Sequence, residues 1–144
     1  MRFASMEYVK KMQEVLNSDE QHRRAAKGET DSYLLVLDPE PDKGVAERHI
    51  VGYSMVDGEV TEAWTGQRKT TFVLSAPYGV WVSILEGRLG PIAAMTTRRL
   101  KIRGNLLKLL SGSDSTLRMV ELLRTIPTEF EGEYASVKLG QEAG

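Results

Sequence analysis

The chain has 144 residues, no cysteine, and 19 Lys and Arg against 20 Asp and Glu, a formal net charge of −1. Disulfide frameworks, thiolate metal sites and cysteine nucleophiles are thereby excluded, two histidines are too few for a His-only zinc site, and near-neutrality argues against a general nucleic-acid binder. A single domain of this length buries about 68–70% of its unfolded surface, and no apolar run approaches the ~20 residues of a membrane-spanning helix, so a self-sufficient soluble, intracellular domain is expected.

Phe3, Met6, Val9, Met12 and Leu16 recur at spacings of three and four, which predicts an amphipathic helix. Its polar face mixes Glu and Lys, favouring core packing over a membrane surface. Asn17 and Ser18 ahead of Asp19 and Glu20 signal a second short helix closed by Gly28. Ser32 to Leu37 reads as a strand and Asp38 to Gly44 as a loop. His49 to Val56 and Val60 to Thr65 flank Asp57-Gly58, the signature of a tight hairpin turn. Gly52 inside the first of these strands implies a bulge or a close approach. Thr70 to Leu74 is a further strand, after which Ser75 is expected to cap a helix with early Pro77 and a stop at Gly87. Pro91 opens another short helix. Arg99 to Arg103 alternates basic and apolar residues, a strand with Leu100 and Ile102 inward, ended by Gly104. Leu106, Leu107, Leu109 and Leu110 lie on one side of a helix; after a break at Ser111-Gly112-Ser113, Ser113 or Asp114 caps a last helix carrying Leu117, Val120, Leu122, Leu123 and Ile126. The tail, 128–144, is Glu- and Gly-rich and reads as loosely held. The element order implies one α+β domain over 1–144, with helices on one face of a mainly antiparallel sheet.

A catalytic reading would start from His49 with Asp57, Glu59 and Glu62. Asp57 is already explained by the turn and the two glutamates by exposed strand positions. There is no Gly-x-Ser-x-Gly elbow, no phosphate-cradling glycine loop, and no His or carboxylate cluster with metal-ligand spacing; neither a catalytic residue nor a cofactor or metal is assigned. Arg98, Arg99, Lys101, Arg103 and Lys108 form a basic segment without an intervening acid, fit for anionic headgroups or for the charged solvent face of an edge strand. The second half is rich in large apolar residues, among them Ile84, Leu107, Leu109 and Leu122, which serve either as core or as the walls of a cavity for an apolar ligand.

Glu86-Gly87-Arg88-Leu89-Gly90-Pro91, then Ala94-Met95, then Arg99-Leu100-Lys101-Ile102-Arg103-Gly104-Asn105 and the Leu-rich helix resemble the type-two sterol carrier protein family of non-specific lipid-transfer domains. That family has a Gly-Lys-Leu-x-Pro turn, a short apolar helix, a Gly-Lys-Leu-Lys-Ile-x-Gly-(Asn/Asp) strand and a final helix in this order. The match is strongest over residues 70–110. Arg98 stands where the pattern often has Gly, and Trp81 where Phe is common. The chain closes on Gly-Gln-Glu-Ala-Gly, not on a Ser-Lys-Leu type peroxisomal address, and Val137-Lys138-Leu139 is internal; a cytoplasmic stand-alone member is expected.

The resemblance implies a curved five-stranded sheet covered by helices and enclosing an apolar tunnel for a fatty acid, acyl-coenzyme A, sterol or phospholipid. Tyr53, Met55, Trp64, Phe72, Leu74, Trp81, Leu85, Leu89, Ile92, Met95, Leu100, Ile102, Leu106, Leu110, Met119 and Leu123 are the expected lining, with the helix from Asp114 to Ile126 as a lid. The partner is then a hydrophobic small molecule, with transient membrane contact and no nucleic acid. Two alternatives stand beside it: an enzyme acting on a small hydrophobic substrate through His49 with Glu59 or Glu62, and an interaction module that forms homodimers through an exposed apolar groove.

Overall fold

The computed structural model describes residues 1–140. Ser5 opens helix α1 (Met6–Ser18) by accepting a hydrogen bond from the Tyr8 amide at 3.2 Å. The helix begins three residues later than the spacing from Phe3 suggests. Ala4 takes a φ of 63°, which lets the Phe3 ring turn edge-on to Tyr8, Tyr78 and Phe130, with centroids 5.2, 5.6 and 5.1 Å away. Helix α1 buries Tyr8, Val9, Met12 and Leu16, and Asp19 then caps α2 (Glu20–Ala25) by accepting from the His22 amide at 2.8 Å.

Five strands follow: β1 (Ser32–Asp38), β2 (His49–Val56), β3 (Glu59–Thr65), β4 (Phe72–Pro77) and, after two helices, β5 (Lys101–Arg103). The sheet order is β3-β2-β1-β4-β5, and only β1 and β4 run parallel. The fold is thus α+β with a mainly antiparallel sheet, as the element order implies. The hairpin turns at Asp57 and Gly58, whose φ values of 49° and 80° are those an Asp-Gly turn supplies. Across from Gly52, the Trp64 ring fills the space a side chain would need, so the glycine marks a close approach. The bulge lies on the partner strand, where Thr61 is extra: Val60 pairs with Met55 and Glu62 with Ser54.

Helices α3 (Tyr78–Glu86), α4 (Pro91–Thr96), α5 (Leu106–Ser111) and α6 (Ser113–Leu123) complete the layer. Ser75 does not cap α3. It lies inside β4, paired with Val36 and Lys101, and the strand continues to Pro77 opposite Asp38 before Tyr78 starts the helix. Gly87, at φ 82°, ends α3 as expected. Neither Ser113 nor Asp114 caps α6; both lie in its first turn, behind Gly112. Ile126 lies beyond the end of α6, yet is 1% exposed. The segment from Thr128 to Gly140, whose composition suggests a loose tail, is tied down: Glu129 exchanges backbone hydrogen bonds with Met1 and Phe3, Phe130 is buried, and the Thr128 amide donates to Leu139. The rest of the tail, 141–144, lies outside the described residues.

Candidate functional site

Register brings one aromatic from each of three adjacent strands into line, because Tyr33 faces Tyr53 on one side and Phe72 on the other. The rings stack at 4.7 and 5.4 Å between centroids, within 18° of parallel. On this face the helices enclose a narrow apolar pocket of about 110 Å³. Its floor is Tyr33, Leu35, Leu37, Val51, Tyr53 and Leu74, and its walls come from α1 (Tyr8, Met12), α3 (Trp81, Ile84, Leu85), α4 (Pro91, Met95) and α6 (Thr116, Met119, Val120, Leu123). The hydroxyl of Tyr8 in this wall is buried without a hydrogen-bond partner among the described residues, and burial raises its pKa above the ordinary phenol value.

At the end of the stacked ladder the apolar pocket meets a second, polar cavity of about 360 Å³, and Tyr33, Tyr53, Leu109, Thr116 and Met119 line both. The Tyr53 hydroxyl donates to Met119 Sδ at 3.5 Å where the two meet. Around the polar cavity Glu29 Oε1 accepts from the Ser115 hydroxyl at 2.6 Å, while Lys108 Nζ sits 3.0 Å from Asp31 Oδ1. Burial raises the Glu29 pKa against that hydrogen bond. His22, 2% exposed, is held toward the neutral form by burial, opposed by the Asp19 charge.

Of the residues expected to line a cavity, the structure brings Tyr53, Leu74, Trp81, Leu85, Met95, Leu100, Met119 and Leu123 around the apolar pocket. Met55 and Phe72 face the polar one. Leu89, Ile92, Ile102 and Leu110 are partly buried against the core without reaching either cavity, and Leu106 is 38% exposed. Trp64 is on the opposite face of the sheet, over Gly52, with the Arg68 guanidinium 4.3 Å above its ring. The four leucines of α5 do not share a fate: Leu109 is buried and lines both cavities, while Leu107 is 80% exposed. Tyr8, Met12 and Tyr33, not among the expected lining, join the apolar wall, although the periodicity of α1 already marks Met12 as inward. Trp81 does more than replace a Phe, since its indole N–H donates to the Val36 carbonyl at 3.1 Å.

The basic segment divides. Arg98, Arg99, Lys101 and Arg103 are exposed along the free edge formed by β5, whereas Lys108 is held by Asp31. Arg98, where a Gly is common in the resembling family, has a φ of 61°, the left-handed conformation glycine adopts most cheaply. His49 does not meet Glu59 or Glu62. Its Nε2 is 2.8 Å from Glu131 Oε2, Glu59 lies opposite Val56 at the other end of β2, and Glu62 pairs with Arg68. The enzyme alternative thus loses the side-chain pair it was built on.

Comparison with known proteins agrees with this architecture. Residues 9–113 match the SCP-2 sterol transfer family. No curated protein sequence matches the chain. Among solved structures, a crystal structure of sterol carrier protein 2 is similar at TM-score 0.77 and 24% identity, covering 85% of this chain and 98% of that one. The solution structure of a conserved hypothetical protein from Thermus thermophilus, described as possibly a sterol carrier protein, is similar at TM-score 0.78 and 25% identity, over 86% and 89%. The apo form of sterol carrier protein 2 from Yarrowia lipolytica shares the fold at TM-score 0.56 and 13% identity, over 83% and 91%. The chain belongs to the SCP-2 sterol transfer family, and with it to proteins of lipid binding and transfer in general. Among the described residues no helix is long and apolar enough to cross a membrane.

Proposed function

We propose that this protein carries a hydrophobic ligand, a fatty acid, acyl-coenzyme A, sterol or phospholipid, in the apolar pocket between the Tyr33–Tyr53 face of the sheet and α6, without chemistry on it. The observation that carries this reading is a pocket whose walls are almost wholly hydrocarbon and aromatic, running into a polar cavity at one end. Burial alone holds such a ligand: each methylene withdrawn from water contributes about 0.8 kcal/mol.

The pocket as it stands is narrow, about 110 Å³, and walled by packed side chains. A long chain therefore enters by parting the wall. Helix α6 is the wall that parts, and its fastenings indicate how: Arg124 donates from Nε and Nη2 to the Leu85 and Ile84 carbonyls at the end of α3, whereas the other end of α6 adjoins the six-residue α5 with Leu109 as its one buried side chain. The lid swings open at the α5 end once the Ser115–Glu29 and Arg118–Asp19 hydrogen bonds release. Leu107, exposed beside the basic edge of Arg99, Lys101 and Arg103, meets an anionic bilayer during delivery. The absence of cysteine fits a cytoplasmic setting. The test is transfer of a fluorescent fatty acid between anionic vesicles: the protein accelerates it, and Leu107→Glu slows delivery while leaving affinity in solution intact. No acceleration by the wild-type protein would count against the reading.

A further inference from the structure

The polar cavity holds more structure than an entrance needs, and the occupant assigned to it below rests on the carrier reading. It is larger than the apolar pocket, about 360 against 110 Å³, and continuous with it at Tyr33 and Tyr53. Tyr33 is 7% exposed and lines both cavities. His22, which also lines the polar cavity, has a buried Nδ1 with no partner among them. An unpartnered buried polar group costs about 1–3 kcal/mol, so an imidazole placed this way beside the end of an apolar pocket points to a polar ligand group that completes it.

The sign of that group follows from the charges. Glu29 and Asp31 face the cavity, and so do Lys27 and Lys108. Lys108 is engaged by Asp31 at 3.0 Å, and Lys27 is exposed at the rim. Glu29 uses Oε1 for Ser115 and makes no ion pair among the described residues. Glu29 and Lys27 are therefore the two cavity charges without an ion pair among the described residues, and Glu29 is the more buried of them, its charge the less screened by solvent. The tyrosines register it: at Tyr33 burial, then the Glu29 charge, then Asp31 raise the pKa, and at Tyr53 burial, then Tyr33, then Glu29 do so. No three His, Asp or Glu side chains converge as metal ligands among the described residues, so the cavity offers an inorganic cation no ligand set there.

We propose that this cavity is a headgroup site: with the hydrocarbon chain in the apolar pocket, Glu29 and the Tyr33 hydroxyl receive a polar head that donates hydrogen bonds and carries no negative charge, an alcohol or an ammonium, and they disfavour a carboxylate. The site thereby sets which amphiphile of a given chain length is carried.

Displacement of the neutral fluorophore N-phenyl-1-naphthylamine by dodecanol, dodecylamine and laurate at pH 7 separates the outcomes. Dodecanol and dodecylamine should each displace the dye at concentrations about tenfold below laurate, a difference of about 1.4 kcal/mol. Glu29→Gln keeps an oxygen for Ser115 and removes the charge; it should weaken dodecylamine, strengthen laurate and leave dodecanol nearly unchanged. If laurate binds as well as dodecanol and Glu29→Gln leaves the order intact, the headgroup assignment is overturned and the carrier reading survives. If none of the three displaces a dye that does bind, both fall.

Discussion

Arg118 grips Asp19 with two parallel hydrogen bonds, Nε to Oδ2 and Nη2 to Oδ1, each 2.9 Å long. Asp19 also caps α2, so a single carboxylate joins the α1–α2 corner to the middle of α6. The hydrogen bonds from Arg118 are the main reason its pKa falls from 3.8 to about 2. If α6 is the lid proposed above, this is the fastening that its opening releases.

Arg118→Met should therefore speed ligand exchange several-fold while leaving the Asp19 cap in place, read by stopped-flow release of a fluorescent fatty acid. The sign with pH is set by the depressed pKa. Above pH 3.8 Asp19 is ionised in both the folded and unfolded chain and the latch contributes fully; the contribution declines as pH falls from 3.8 toward 2. The melting-temperature gap between wild type and Arg118→Met should be constant from pH 7 to 4.5 and close below that. A gap that already closes between pH 7 and 5 would exclude Asp19 as its source.

His22 titrates in a milder range of acidity. Burial lowers its pKa below 6.5, so as pH falls past 6.5 the unfolded chain takes up a proton that the folded chain refuses. Stability should decline between pH 7 and 5, and His22→Leu should flatten that slope. Thermal melts across this range check it; an unchanged slope in the variant would assign the pH sensitivity elsewhere.

Met119 stands at the junction of the two cavities. Met119→Trp should fill the junction at a stability cost of about 1–3 kcal/mol and reduce affinity for a long-chain ligand by at least about tenfold. Isothermal titration with parallel denaturant melts separates loss of binding from loss of fold. Full affinity in a folded variant would place the ligand elsewhere.

Arg98 is held at φ 61° on the exposed turn before β5. Left-handed backbone costs a non-glycine residue roughly 1–2 kcal/mol, partly offset by the roughly 0.4–1 kcal/mol that glycine adds to unfolded-chain entropy. Arg98→Gly should therefore stabilise the fold by about 0.5–1 kcal/mol in urea melts, with ligand affinity unchanged.

Much of this architecture is legible locally. Asp57-Gly58 turns the hairpin and Gly87 stops α3, because each requires a backbone conformation that few residues adopt. What escapes the sequence depends on distant pairing. Ser75 looks like a helix cap until β1 pairs alongside and extends β4 to Pro77. Trp64 shows the same limit within the candidate site: strict alternation from the buried Val60 puts it on the inner face, but the extra residue Thr61 reverses the parity, so Ala63 joins Tyr53 inside and Trp64 turns outward over Gly52. The polar cavity is hidden for a like reason. Glu29 lies just before β1 and Tyr33 at its start, with Ser115 more than eighty residues later, and only the packing of α6 on the sheet brings them to one place.

The central claim, that apolar volume rather than catalysis is this protein's function, is tested most directly by mass spectrometry of the organic extract of the purified protein, paired with titration of a fluorescent fatty acid. The expected result is near-stoichiometric lipid in the extract, or saturable uptake of the fatty acid by the delipidated protein, lost in Met119→Trp. An extract free of lipid, together with no saturable uptake by the folded wild-type protein, would contradict it.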